Sequence, residues 1–302
     1  MKVLLTGSTG FIGKEVSKLL KNKRCVVRTV EDTLEGDVFV VETINGATNW
    51  EGAFDGIDSI IHLAGAAHGK ISSTADFYET NLKGTINLAK SAVKNGVKRF
   101  VFVSTILVNG VSSTKKRFSP ASSADPQSDY AKSKYLAEQA LFRLSRETGL
   151  EVVVVRPTLV YGPNAPGNFH KLKKLVQLFP VLPFGKVENK RHIISVYNLA
   201  ELLVTCSFHN AASGQIFLAS DGEALSTREL VDAIAYGLNK KVLHLPIPTK
   251  LMAGMLRLLG MGSLVTQLFG NLEVDDSNLT NALGWKPPYP IKYSMKKLTM
   301  EN

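Results

Sequence analysis

The chain reads as an α/β protein built on a doubly wound parallel sheet, with a smaller α/β portion after it. Three observations predict this. Short, nearly continuous apolar runs alternate with helical patterns through the first half, as strands covered on both faces require. A glycine-rich turn separates the first such run from the first helix. After Pro157 the alternation gives way to a stretch rich in Pro, Gly and Lys.

Strands are expected at 3–5, 26–30, 59–62, 100–104 and 152–156, and helices at 13–22, 77–95 and 130–148. Alternation of this kind implies right-handed crossovers and parallel pairing. Beyond Pro157 the pattern predicts a helix over 169–178, a strand running into a helix over 193–208, and a strand over 215–219. From Thr227 helices alternate with turns, ending in Leu283-Gly284-Trp285-Lys286-Pro287. The organisation expected is a dinucleotide-binding domain over 1–163, completed by about 193–220, and a substrate-binding domain made of 164–192 and 221–302.

At 302 residues and 44% apolar composition, the chain can bury a substantial core without staples. Cys25 and Cys206 stand in apolar runs with no metal-ligand spacing, so buried free thiols and a cytoplasmic location are expected, with no metal. A formal charge of +10 favours an anionic partner without naming one. Short basic clusters occur at 115–117, 171–174 and 186–191, but no nucleic-acid-binding signature accompanies them. The first apolar run is too short for a signal peptide. The best membrane candidate, 251–269, is interrupted by Arg257 and by glycines, so no span is expected and core or interface helices are the preferred reading.

The first chemical signal is Thr6-Gly7-Ser8-Thr9-Gly10-Phe11-Ile12-Gly13, between a strand and a helix. Glycines there let backbone approach a pyrophosphate, whose charge meets the helix N-terminus. Further on, Glu31 could accept from adenosine ribose hydroxyls and so favour NAD, while nearby Arg28 could contact a 2′-phosphate and favour NADP; a solvated turn of mixed charge is an equal reading. The second signal is Tyr130-Ala131-Lys132-Ser133-Lys134, whose first and last residues share a helix face. A neighbouring ammonium is expected to lower the phenol's pKa. The third is Ser104-Thr105 at a strand's carboxyl end, where open α/β sheets face their ligands.

Taken together these motifs resemble the extended short-chain dehydrogenase/reductase family, in its nucleotide-sugar epimerase/dehydratase branch, over nearly the whole chain. Further matching segments are Ile61-His62-Leu63-Ala64-Gly65, Asn81-Leu82-Lys83-Gly84-Thr85, Ser104-Thr105 through Gly110, Arg156-Pro157-Thr158 through Pro163, Arg191 through Val196, and the terminal Leu-Gly-Trp-Lys-Pro. The resemblance implies a Rossmann-type fold and a catalytic set of Thr105, Tyr130 and Lys134. It implies cofactor contacts from Gly7, Thr9, Gly10, Phe11, Ile12 and Gly13, from Glu31, and from Leu63, Ala64 and Gly65. Asn81, Ser104, Tyr130, Lys134, Pro157 and Thr158 complete that set. Arg191 is implied at the substrate diphosphate, with Thr105, Asn168 and Asn189 beside the substrate, though the two asparagines read equally as turn residues. Departures are Thr105 for the commoner serine, Asn109 for a tyrosine and Thr43 for an aspartate; His62 reads as a packed strand residue. The implied activity is NAD-dependent 4-epimerisation of a UDP-hexose or UDP-N-acetylhexosamine, with NADP the alternative cofactor and a homodimer the implied assembly. The rivals are a one-way reductase of 4-keto sugar nucleotides and a non-catalytic dinucleotide sensor.

Overall fold

The computed structural model describes residues 1–28, 36–67, 74–113 and 116–299. A seven-stranded sheet organises the first part: β1 (Val3–Thr6), β2 (Lys23–Val27), β3 (Val38–Val40), β4 (Ser59–His62), β5 (Arg99–Val103), β6 (Glu151–Pro157) and a late strand, Ile216–Ala219. Their spatial order is β3, β2, β1, β4, β5, β6 and then the late strand, with every pairing parallel. The order reverses between β1 and β4, and crevices at such switch points receive ligands at the strands' carboxyl ends.

Period two along the strands divides the core between the two sheet faces. Val3, Leu5, Val101, Val103 and Val153 point to one face, packed with Val16, Leu199 and Leu203. Leu4, Ile60, Phe100, Phe102 and Val154 point to the other, with Leu88, Ala137 and Leu141. The helices covering these faces are α1 (Phe11–Leu19), α2 (Thr74–Phe77), α3 (Thr85–Lys94) and α4 (Asp129–Thr148), and, later in the chain, Val196–Phe208. A π-helical turn, Tyr78–Gly84, joins α2 to α3, where the sequence pattern predicts one unbroken helix.

A second unit follows from β7 (Leu159–Tyr161), α5 (Gly167–Leu178), β8 (Val181–Leu182) and β9 (Arg191–Ser195). After α6 (Val196–Phe208) and β10 (Ile216–Ala219) come β11 (Ala224–Leu225), α7 (Thr227–Gly237), β12 (Leu243–His244), α8 (Thr249–Leu258), α9 (Gly262–Phe269), α10 (Ser277–Leu283) and α11 (Ile291–Lys296). A small sheet ordered β11, β9, β7 and the β8–β12 pair carry this unit's own core around Phe169, Ile193, Val231 and Met295. Tyr161, expected in the first domain, is buried in this second core. Conversely, Leu279, Leu283 and Trp285 pack into the first unit's core although they lie in the stretch assigned to substrate binding. Hydrophobic packing thus crosses both expected boundaries.

Candidate active site

Three features of the sequence build the cofactor loop. Gly7 has φ +72°, and a Cβ there would come 2.8 Å from the backbone nitrogen of Ala64. A Cβ on Gly13 would come 2.0 Å from the Gly7 carbonyl oxygen, so α1 can press onto the turn only because residue 13 is glycine. Gly10, at the N-cap, leaves the first turn of α1 without a side-chain cap or an acidic residue. That end therefore presents unsatisfied N–H groups and the positive pole of the helix to whatever lies beyond. A cavity of about 390 Å³ opens there, lined by Thr9, Phe11, Lys14, Pro163 and Val196 among others. The cradle fits a dinucleotide pyrophosphate. Arg28 is exposed, and Glu31 lies outside the described residues.

The strand after the switch point contributes an internal relay. Thr85 Oγ1 donates to the Asn81 carbonyl (2.7 Å) and so accepts from His62 Nε2 (3.0 Å). His62 Nδ1 then accepts from Thr6 Oγ1 (2.7 Å), which in turn accepts from the Ala64 N–H (3.2 Å). Burial lowers the imidazole pKa to about 3, so it stays neutral, a packed strand residue as its setting predicts. The relay positions Leu63, Ala64 and Gly65 at the carboxyl end of β4. Asn81 fastens the same segment: its amide donates to the Ala66 carbonyl (2.9 Å) and Ser133 Oγ (3.0 Å), and its oxygen accepts from the Ala66 N–H (2.8 Å).

Ser128 caps α4, accepting from the Ala131 N–H at 3.2 Å, which places Tyr130 in the first turn and Lys134 one turn on. Thr105, extended at the end of β5, accepts from the Leu107 N–H and shares a side-chain hydrogen bond with Tyr130. The structure thus brings Thr105, Tyr130 and Lys134 together. Burial pushes the Tyr130 phenol up to about 12, partly offset by that hydrogen bond. The lowering expected from Lys134 is not seen, because desolvation dominates. Lys134 is almost fully buried with Nζ 4.3 Å from the Phe102 ring centre, and burial lowers its pKa to about 8 against the opposing field of Glu138.

Glu138 is the residue that the sequence reading missed. Fully buried, it accepts from Arg156 Nε (3.0 Å) and Nη2 (2.5 Å) and from the Ser104 hydroxyl, while Arg156 Nη1 donates to Asn109 Oδ1 (3.0 Å). Tyr130, Lys134 and Glu138 succeed one another at i, i+4 and i+8, a spacing that could have revealed it. Ser104, expected at the cofactor, turns its hydroxyl to this carboxylate. Thr158 likewise donates to the Ala219 carbonyl (3.0 Å), and Pro157 is buried at the end of β6.

In the second unit Arg191 is half-buried, with burial lowering its pKa to about 10. Its Nη1 donates to the carbonyls of Thr266 (3.2 Å) and Gly270 (2.9 Å), at the carboxyl end of α9. Asn189, expected at the substrate, instead clamps the fold: its amide donates to Gly270 (3.1 Å) and its oxygen accepts from the Thr227 N–H (2.9 Å). Asn168 is exposed in the first turn of α5. A cavity of about 770 Å³ opens beside the turn that follows Thr105, lined by Asn109, Lys116, Arg117, Ser122 and Gln127 among others. Its loop is tied to the second unit through Phe118, whose N–H donates to Glu273 (2.9 Å) and whose carbonyl accepts from Asp275 (2.7 Å).

Residues 3–219 match the family model described as the NAD dependent epimerase/dehydratase family. The chain belongs to that family. A UDP-glucose 4-epimerase from Vibrio cholerae is 39% identical over 98% of this chain and 93% of its own length. An N-acetyl-alpha-D-glucosaminyl-diphospho-ditrans,octacis-undecaprenol 4-epimerase from Escherichia coli O157:H7 is 28% identical over 83% of this chain and 77% of its own. Among solved structures, a UDP-N-acetylglucosamine 4-epimerase from Bacillus cereus superposes with a TM-score of 0.80, covering 99% of this chain and 98% of that one at 19% identity, a likeness of fold. Family membership accounts for the glycine cradle, since the dinucleotide it fits is the family's cofactor.

Proposed function

We propose that this protein is a nucleotide-sugar 4-epimerase acting on a UDP-linked hexose or N-acetylhexosamine. One observation carries the reading: Thr105 and Tyr130 are hydrogen-bonded at the carboxyl end of β5, and Lys134, one helical turn on, lies beside Gly65 in the segment that packs against the glycine turn shaped for a dinucleotide. The Vibrio cholerae relative supports a UDP-hexose as substrate, and both relatives support chemistry at C4.

Gly7, Gly10 and Gly13, with the open end of α1, would hold the pyrophosphate of NAD, and Thr9, Phe11 and Ile12 flank it. Leu63, Ala64 and Gly65 would border its inner half, with Lys134 at the nicotinamide ribose. When bound, NAD would supply the hydride-accepting and hydride-donating chemistry at C4 that side chains lack. Tyr130 Oη would take the proton of the 4-hydroxyl and give it back. Thr105 would donate a hydrogen bond to the same sugar oxygen, where negative charge develops. A phenol near 12 is a weak base at neutral pH, so the cation on Lys134 is needed to favour the phenolate in the loaded site. Arg191 would meet the diphosphate, for which a guanidinium fork is suited.

Incubation with UDP-glucose and with UDP-N-acetylglucosamine, followed by proton NMR of the sugar, tests the reading. Interconversion of C4 epimers without net consumption of nicotinamide cofactor is expected. Stoichiometric oxidation of NADH with one-way product formation would replace it with a 4-ketoreductase, and tight NAD binding without turnover on any sugar nucleotide would favour a sensor.

A further inference from the structure

The helices of 251–269, expected to be core or interface elements, reach the second unit's core only through Met252 and Phe269 and leave the rest partly or fully exposed. Only Met252 of α8 is buried, and no residue of α9 is. On α8, Leu251, Met255 and Leu258 recur at i, i+4 and i+7 and are 58%, 57% and 89% exposed, and Leu259 is 65% exposed. Such spacing puts one apolar stripe along a helix face. Elsewhere in the same unit, Val181 and Leu243 are register partners of the β8–β12 pair and are also exposed. An exposed apolar stripe along α8 marks a binding face.

The charge around it is predominantly of one sign, the exception being Asp232, which pairs with His244 of β12. No Asp or Glu occurs between Glu151 and Glu188, nor between Asp232 and Glu273. Pairing of β8 with β12, and a Lys240 to Gln177 hydrogen bond, bring these two acid-free stretches side by side. The first holds Lys171, Lys173, Lys174 and Lys186, and the second holds Lys240, Lys241, Lys250 and Arg257. No salt bridge among the described residues uses any of these eight.

We infer that the α8–α9 hairpin docks this protein on an anionic lipid surface. An apolar stripe flanked by lysine and arginine is the composition of helices that lie in the plane of a bilayer interface, and no described helix is long and apolar enough to cross one. The charge also argues against a second copy as occupant. A two-fold interface sets a patch against itself, which here would bring unpaired cations face to face. Anionic headgroups neutralise them instead, while the leucines enter the acyl boundary.

The test is co-sedimentation of the full chain with vesicles of phosphatidylcholine containing phosphatidylglycerol, against phosphatidylcholine alone. Binding only to the anionic vesicles is expected, weakening as salt rises. Lys250→Gln with Arg257→Gln should weaken it roughly 25-fold, since each basic residue near such a surface contributes about 1 kcal/mol. Leu258→Glu with Leu259→Glu should abolish sedimentation while circular dichroism, NAD binding and turnover of a soluble sugar nucleotide stay unchanged. Failure of the wild type to sediment with anionic vesicles would overturn the inference, as would full binding by the double glutamate variant. A dimer in solution that the glutamates disperse would assign the face to a second copy instead. Because sedimentation is read without substrate, it stands or falls independently of the 4-epimerase assignment.

Discussion

Replacing Glu138 with glutamine tests how the buried ion pair supports the active site. The carboxylate accepts two hydrogen bonds from Arg156 and one from Ser104, and neither Glu138 nor Arg156 reaches solvent appreciably. Removing one partner of a buried pair costs roughly 3–5 kcal/mol, because the other charge is stranded. Glutamine keeps one acceptor oxygen, which places Glu138→Gln at the lower end, about 3 kcal/mol. With a urea slope of about 3 kcal/mol per molar for a chain of this size, the unfolding midpoint should fall by about 1 M. Equilibrium urea unfolding, followed by tryptophan fluorescence and by circular dichroism, reads this directly. The double variant Glu138→Leu/Arg156→Met, in which no charge is stranded, should lose less than the sum of its single changes. A midpoint shift below about 0.2 M for Glu138→Gln, or strict additivity in the double variant, would refute the reasoning.

The remaining expectations concern chemistry and binding. Tyr130→Phe should reduce turnover about 10²–10⁴-fold with NAD affinity nearly intact, and retention of a tenth of the activity would remove Tyr130 from the mechanism. Lys134, held near 8, is charged below that pH and neutral above it, so turnover should fall as pH rises through about 8. In Glu138→Gln that limb should move to lower pH, because the carboxylate's field favours the ammonium; an unmoved limb would assign it to another group. Gly13→Ala should abolish NAD binding by calorimetry, since its methyl carbon would stand 2.0 Å from the Gly7 oxygen. Arg191→Ala should weaken binding of UDP roughly ten- to a hundredfold while leaving NAD affinity unchanged. Equal UDP binding would leave the arginine only its role at the end of α9.

Much of the fold was legible because apolar runs in a sheet covered on both faces are hard to disguise. Misreadings arose where charge enters a strand. The second strand was expected to begin at Val26 but begins at Lys23, because Arg24 ends on Asp37 (2.8 Å) and on a loop carbonyl, while residues 29 and 30 of the expected range lie outside the described residues. Likewise β5 begins at Arg99, a buried arginine paired with Glu151 across the sheet. The three-residue edge strand β3 was too short to read, and a π turn leaves no mark on hydrophobic periodicity. Motif spacing found Thr105, Tyr130 and Lys134 because they share a loop end and one helix face. It could not show which polar side chains the fold itself uses. Ser104, Thr158 and Asn189 turn inward to bond carboxylate or backbone, and only three-dimensional neighbours reveal that.

Trp285 has a consequence for the order in which the protein matures. The indole and the leucines of α10 complete a core that begins with Val3 and Leu5, so the first strand synthesised waits for nearly the last helix. At roughly 5–20 residues per second, synthesis from β1 to Trp285 leaves that apolar face open for about 15 to 60 s. A ribosome stalled or a gene truncated just before α10 would release a chain that has Thr105, Tyr130 and Lys134 but an unfinished first core, a natural client for chaperones and proteases.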